Sequence, residues 1–159
     1  MGRHVFAKED GNFRINGSTL TAYLGNDTFV SIPDTVTIIG EEAFAGNETL
    51  TGIEIPDSVT SIGGYAFSGC TSLTSIEIPN SVTDIGKKAF AYCYSLTTTD
   101  MEIPAIPATS ESTGNPTIGG IFNNCSKLTA KVEKLLPGGG FAVNNVDMNL
   151  AFYNTSALT

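Results

Sequence analysis

The sequence predicts an α/β solenoid of short stacked units, with a parallel β-sheet on the concave face and short helical or extended returns on the convex face. Two observations carry that reading. Ile32-Pro33-Asp34-Thr35-Val36, Ile55-Pro56-Asp57-Ser58-Val59 and Ile78-Pro79-Asn80-Ser81-Val82 recur at a spacing of 23 residues, a period typical of solenoid repeats. Before each of the later prolines the residues alternate, as in Ile76-Glu77-Ile78, which is the signature of a strand with one buried face.

Each element of the unit follows from its residues. Leu73-Thr74-Ser75-Ile76-Glu77-Ile78 reads as the strand, with Ile76 and Ile78 pointing inward and Glu77 outward. Pro79 then removes an N–H and ends the pairing, and the Asp or Asn behind each proline favours a turn. Val36, Val59 and Val82 lead into Ile39-Gly40, Ile62-Gly63 and Ile85-Gly86, where Gly63 is expected to adopt a positive backbone angle. Ala43-Phe44, Ala66-Phe67 and Ala89-Phe90 follow, and Leu50, Leu73 and Leu96 close each unit six residues past the phenylalanine. A unit this short cannot bury its own apolar face, but copies stacked at ~4.8 Å bury one another's. The phenylalanines then form a spine, each worth roughly 1.5 to 3 kcal/mol on burial. The same phenylalanine-to-leucine spacing returns from Phe122 to Leu128 and from Phe152 to Leu158, giving five units, three regular and two modified. The chain therefore divides into a tail and cap over 1–24 and a repeat array over 25–159, with an insertion around 105–117.

These positions resemble the BspA-like class of leucine-rich repeats. Its units read as leucine, two variable residues, isoleucine, one variable residue and isoleucine-proline, then a series of valine, isoleucine-glycine, alanine-phenylalanine and cysteine. Ile55-Pro56 through Ile78-Pro79 fits at every marked position, and Phe13-Arg14-Ile15-Asn16-Gly17 with Leu20-Thr21-Ala22-Tyr23 resembles the hairpin-like cap that precedes such arrays. The pattern is strongest from Gly25 to Leu96; beyond it, two extra residues precede Pro104, about seven more lie before Phe122, and the Pro137 unit is longer again. The resemblance implies a leucine-rich repeat solenoid in a secreted or surface-attached microbial protein that takes part in adhesion.

Composition bounds the partners. Sixteen acidic and eight basic residues give a formal net charge of -8, which repels a phosphate backbone, so no nucleic acid partner is expected. No apolar run reaches the length of a membrane span, and Met1-Gly2-Arg3-His4 leads into polar sequence without the apolar core of a signal peptide. The chain as given is expected to be soluble, and a leader removed beforehand would leave the same picture.

Few constellations carry chemistry. The single histidine, His4, lies in the leading tail, and Cys-x-x-Cys, Gly-x-Ser-x-Gly and Gly-Lys-Ser/Thr patterns are lacking, so no cofactor, metal site or catalytic triad is expected and the chain reads as non-enzymatic. Cys70, Cys93 and Cys125 share one repeat position, three residues after Phe67, Phe90 and Phe122, with Asn47 in the same slot of the first unit. A ladder of buried free thiols is the favoured reading there, with a disulfide or a metal site as alternatives. Glu54 and Glu77 occupy one outward strand position, Glu102 joins them if two extra residues bulge before Met101, and Ser31 is their equivalent in the first unit. Stacking sets these groups ~5 Å apart. A solvated acidic stripe, a docking edge for a cationic partner or calcium, and a glycosidase-like acid pair remain open, the last handicapped because an open sheet face cannot raise one carboxyl pKa.

Several further features admit two readings. Residues 105–117, with Pro104, Pro107 and Pro116 around them, form a tolerated loop or a contact surface. Tyr65, Tyr92 and Tyr94 fall on the return side, where they cover the convex edge or stack on sugar rings. Five Asn-x-Ser/Thr sequons, at Asn16, Asn26, Asn47, Asn124 and Asn154, match what an Asn- and Thr-rich composition produces. Phe152 to Thr159 ends where another strand should begin, so a longer array or self-association through that uncapped end is expected. Taken together, the sequence points to recognition of a protein or glycan through the concave sheet, centred on Ser31, Glu54, Glu77 and Glu102. A structural spacer or assembly module of a longer surface protein is the alternative.

Overall fold

The structure, a computed structural model, describes residues 8–97, 122 and 124–128. Among the described residues nine strands form two sheets on different sides of the stacked units. The opening is an antiparallel meander of β1 (Lys8–Asp10), β2 (Phe13–Asn16) and β3 (Thr19–Tyr23). The predicted repeat strands follow as β4 (Phe29–Ser31), β6 (Gly52–Glu54) and β8 (Ser75–Ile76). They pair in parallel, Val30 against Ile53 and Ile53 against Ile76, so their inward residues fall in one column.

The returns are extended, not helical: no helix occurs among the described residues. Each return begins with a two-residue strand, β5 (Ile38–Ile39), β7 (Ser61–Ile62) and β9 (Asp84–Ile85), which together continue the sheet started by β3. The turn before it closes from Val59 N to Pro56 O at 3.1 Å, with its counterparts from Val36 to Pro33 and from Val82 to Pro79. After the strand come i→i+3 turns, Ala66 N to Gly63 O, Ser68 N to Tyr65 O and Cys70 N to Phe67 O.

A helix fails to form because alternate amides are engaged between units. Phe44 N donates to Ala66 O at 2.7 Å, Phe67 N to Ala89 O at 2.8 Å, Gly46 N to Ser68 O and Gly69 N to Ala91 O. These are the N–H groups that an α-helix would turn inward on its own chain.

Between the two sheets lies one apolar core, with no buried polar or charged residue among the described residues. Its axis is a column of Phe44, Phe67, Phe90 and Phe122, each at most 1% exposed. Successive rings stack with centroids 5.0, 5.2 and 5.5 Å apart and planes within 10°, an offset arrangement favoured by aromatic quadrupoles. At the cap end of the column Tyr23 stacks on Phe44 at 5.2 Å. Its hydroxyl donates to Asp27 Oδ2 at 2.6 Å, and Asn12 Nδ2 donates to the same oxygen. Phe13 of the cap is tilted against the Tyr23 ring at 5.3 Å, so the aromatic contacts continue past the first repeat into the meander.

Gly63 does not have the positive backbone angle expected of it. The left-handed residues in that stretch are Glu42, Tyr65 and Lys88, at φ 57, 56 and 54°. Gly63 is required by contact: a Cβ there would lie 2.6 Å from Glu41 N on the preceding unit, and one on Gly40 would lie 2.8 Å from Leu20 O. Gly86 meets the backbone of Gly63 and Gly64 in the same way. The glycine column is where units approach most closely.

Two outcomes follow for stability. Phe67→Ala should lose about 3–5 kcal/mol, since rings above and below leave the cavity unfilled, while Glu54→Gln should change little; urea unfolding of both reads the contrast. Gly63→Ala should cost about 1–3 kcal/mol because the clash is with backbone, and an unchanged urea midpoint would show that units can spread to admit a methyl group.

Candidate functional site

The strand face turned away from the core is assembled from alternate residues of β4, β6 and β8. Val30, Ile53 and Ile76 point inward and are buried, which sends Phe29, Ser31, Gly52, Glu54 and Ser75 outward. Glu77, one residue past β8, is exposed as well. Ser31 pairs in register with Glu54, and the Ser31 hydroxyl donates to Glu54 Oε2 at 2.6 Å. The register carried from Gly52–Ser75 and Ile53–Ile76 sets Glu77 beside Glu54 on the next unit. Three of the four residues singled out from sequence therefore form one row. Glu102 lies outside the described residues, as do the 105–117 insertion and the Phe152–Thr159 segment.

Phe29 is the member of this face that sequence reasoning passed over. It is 60% exposed, and its ring leans along the sheet until Cδ2 stands 3.1 Å from where a Cβ on Gly52 would be. Gly52 leaves the room that the ring occupies. The signal in the sequence was an aromatic in an outward slot that holds Gly52 and Ser75 in the following units. An exposed aromatic next to a hydroxyl and two carboxylates offers stacking area, hydrogen-bond acceptors and negative charge. The carboxylates are exposed, so they present charge to a partner and lack the desolvated setting of a general acid.

The cysteines are three free, fully buried thiols. Cys70 Sγ donates to Phe44 O at 3.2 Å, Cys93 Sγ to Phe67 O at 3.2 Å, and Cys125 Sγ to Phe90 O at 3.0 Å. Each thiol satisfies a phenylalanine carbonyl on the unit before it. Burial pushes the Cys70 thiol up to about 12. Cys93 is raised too, first by its contact with the Cys125 thiol and then by burial. Asn47, half-buried in the equivalent position, instead uses Oδ1 to accept from Thr49 N, Thr49 Oγ1 and Leu50 N, which caps the first turn.

The tyrosines separate into two environments. Tyr65 sits beside Lys88, whose Nζ is 6.0 Å from the ring centroid. Tyr92 and Tyr94, 37% and 45% exposed, form an edge-on pair with centroids 6.3 Å apart.

Residues 22–133 match the family described as the BspA type leucine rich repeat region, in six copies. Among solved structures, the chain is similar to a leucine-rich repeat protein from Bacteroides capillosus, with 33% identity, a TM-score of 0.55 and coverage of 75% of this chain and 92% of that one. It is similar to a leucine rich cell surface protein from Faecalibacterium prausnitzii at 26% identity and a TM-score of 0.56, covering 80% of this chain and 45% of that one. A leucine-rich repeat protein from Eubacterium ventriosum gives 25% identity and a TM-score of 0.57 over 75% of this chain and 30% of that one. The chain thus spans less than half the length of the latter two relatives. No curated protein matches it.

The thiol ladder has a measurable consequence. With the folded pKa of Cys70 raised from an ordinary 9.0 to about 12, the folded state holds its proton more tightly than the unfolded state. The corresponding stability is complete below about pH 9 and is lost as pH climbs toward 12. The urea midpoint should therefore fall above pH 9, and fall less steeply once Cys70 and Cys93 are replaced by alanine. Thiol titration in non-reducing denaturant should count three free cysteines, and a count of one would contradict the ladder.

Proposed function

The chain belongs to the BspA-type leucine-rich repeat family, and on that footing we propose that it is a non-catalytic recognition module that binds a protein or glycan through the outward face of β4, β6 and β8. Secretion or attachment to a cell surface is part of the same reading. It is supported by the leucine rich cell surface protein from Faecalibacterium prausnitzii to which the chain is similar. The observation that carries the proposal is the exposed Phe29 ring lying over Gly52 beside the Ser31–Glu54 hydrogen bond. A large apolar ring held in water is a liability for a surface with no partner and an anchor for one that has a partner.

A rigid sheet suits this role because its outward residues are set by the ladder and lose little freedom when a partner docks. Glu54 and Glu77 add negative charge that steers a cationic ligand and selects against an anionic one. Glu102 would extend that row by one unit.

The test is an array of glycans and extracellular-matrix proteins probed with the purified chain, followed by variants on any ligand found. Replacing Glu54, Glu77 and Glu102 with glutamine should weaken binding and flatten its salt dependence while leaving the urea midpoint in place. Phe29→Ala should lower affinity at every salt concentration. Affinity unchanged in both variants would return the face to solvated surface and favour a structural spacer.

A further inference from the structure

The corner between the phenylalanine column and the next strand carries an exposed aromatic pair for which the sheet face has no use. Tyr23 N donates to Ala43 O as Phe44 N donates to Ala66 O, so the cap runs in phase with the repeats at this corner. Gly46, Gly69, Tyr92 and Asn124 then share one column of left-handed residues, and Glu48, Thr71 and Tyr94 share the column two residues on.

Tyr92 occupies a position that two earlier units fill with glycine. Its φ is 61°, against 71° at Gly46 and 76° at Gly69, a left-handed conformation that a bulky side chain ordinarily avoids. Its ring is nevertheless placed at the surface, edge-on to Tyr94 at 6.3 Å. No side chain fills the space on the two preceding units: a Cβ on Gly46 would meet nothing within 4 Å, and one on Gly69 would meet only Gly46 backbone at 3.5 Å. A depression of about 370 Å³ opens against Gly46, Asn47, Glu48 and Thr49, and Leu24, 57% exposed, lies at its cap end. From the cap to the tyrosines is three unit spacings, roughly 14 Å.

We propose that this corner is a second binding site, separate from the sheet face, that takes a short neutral oligosaccharide, with the edge-on Tyr92–Tyr94 pair packing against sugar at one end. The chemistry selects that class. Flat apolar rings match the C–H faces of a pyranose, and Glu48 with the hydroxyls of Ser68, Thr71 and Ser72 supplies partners for sugar hydroxyls. Between the cap and the tyrosines these columns hold the Glu48 carboxylate and no cation, which disfavours anionic glycans; Lys127 lies one unit beyond. Stacked units also repeat at ~4.8 Å, so neighbouring units present similar groups to neighbouring sugars of a chain.

The experiment titrates the whole chain with cellopentaose, maltopentaose and mannopentaose, alongside oligogalacturonate and pentalysine. Calorimetry is read together with tyrosine fluorescence, which the lack of tryptophan leaves unmasked. One of the neutral pentasaccharides should bind, and Tyr92→Gly and Tyr94→Ala should each weaken it by about tenfold or more. Glycine accepts the left-handed backbone, so Tyr92→Gly should keep or raise the melting temperature, which a purely structural tyrosine would not allow. Glu54→Gln with Glu77→Gln should leave this binding unchanged, which separates its fate from that of the sheet face. The proposal is overturned if no neutral pentasaccharide binds at millimolar concentration, if oligogalacturonate or pentalysine binds in preference, or if Tyr92→Gly binds as the parent does.

Discussion

Amides that donate from one unit to the next set the spacing of this molecule on every side. The ladder runs through β4, β6 and β8, through the return strands, and through the corner, where Phe44, Gly46, Phe67 and Gly69 reach across to the unit that follows. Threonine reinforces it: Thr51 and Thr74 each direct both N–H and Oγ1 to one carbonyl on the preceding unit, those of Thr28 and Thr51. Spacing held this tightly leaves no slack in the interior. A column must then repeat the same side chain or one of the same size, and phenylalanine stacks at 5.0–5.5 Å because the backbone has already chosen that interval. Glycine at 40, 63 and 86 is the same constraint seen where backbone meets backbone.

That dependence explains which parts of the structure could be read from the residues. Ile53, Ile76 and the phenylalanine column announce themselves because an interior position must recur, and recurrence at 23 residues is visible without coordinates. The form of the return was less legible. Glycine followed by alanine and phenylalanine is compatible with a short helix when one unit is considered by itself, but the amides that would close such a helix are committed to the next unit. Gly63 was misread for a related reason. Its lack of a side chain answers a contact with Glu41, 22 residues earlier, and local sequence contains no trace of that contact.

The sheet face was legible only in part. Ser31, Glu54 and Glu77 could be aligned because the strand alternates, and the structure adds the hydrogen bond that ties the first two together. Phe29 escaped notice because outward positions need not repeat: the search for periodic residues passes over the slot that differs from its equivalents. For a stacked array this is the expected distribution of information. Interior columns record the fold, and departures from the pattern on outward columns record whatever contact the surface makes.

Tyr92 shows how the two kinds of column interact. A left-handed tyrosine costs on the order of 1–2 kcal/mol relative to a relaxed backbone, and a free loop would relax to avoid it. Here Gly69 N holds Ala91 O at 2.8 Å on one side of it, and Phe90 is fixed between Phe67 and Phe122. The backbone at 92 is over-determined by neighbours that repeat, so the side chain there is free to be chosen for the surface. Stability in the interior columns thus permits unfavourable local choices outside them. Outward residues that carry a conformational cost, or that leave a large ring in water, are accordingly where this molecule departs from the needs of its own fold.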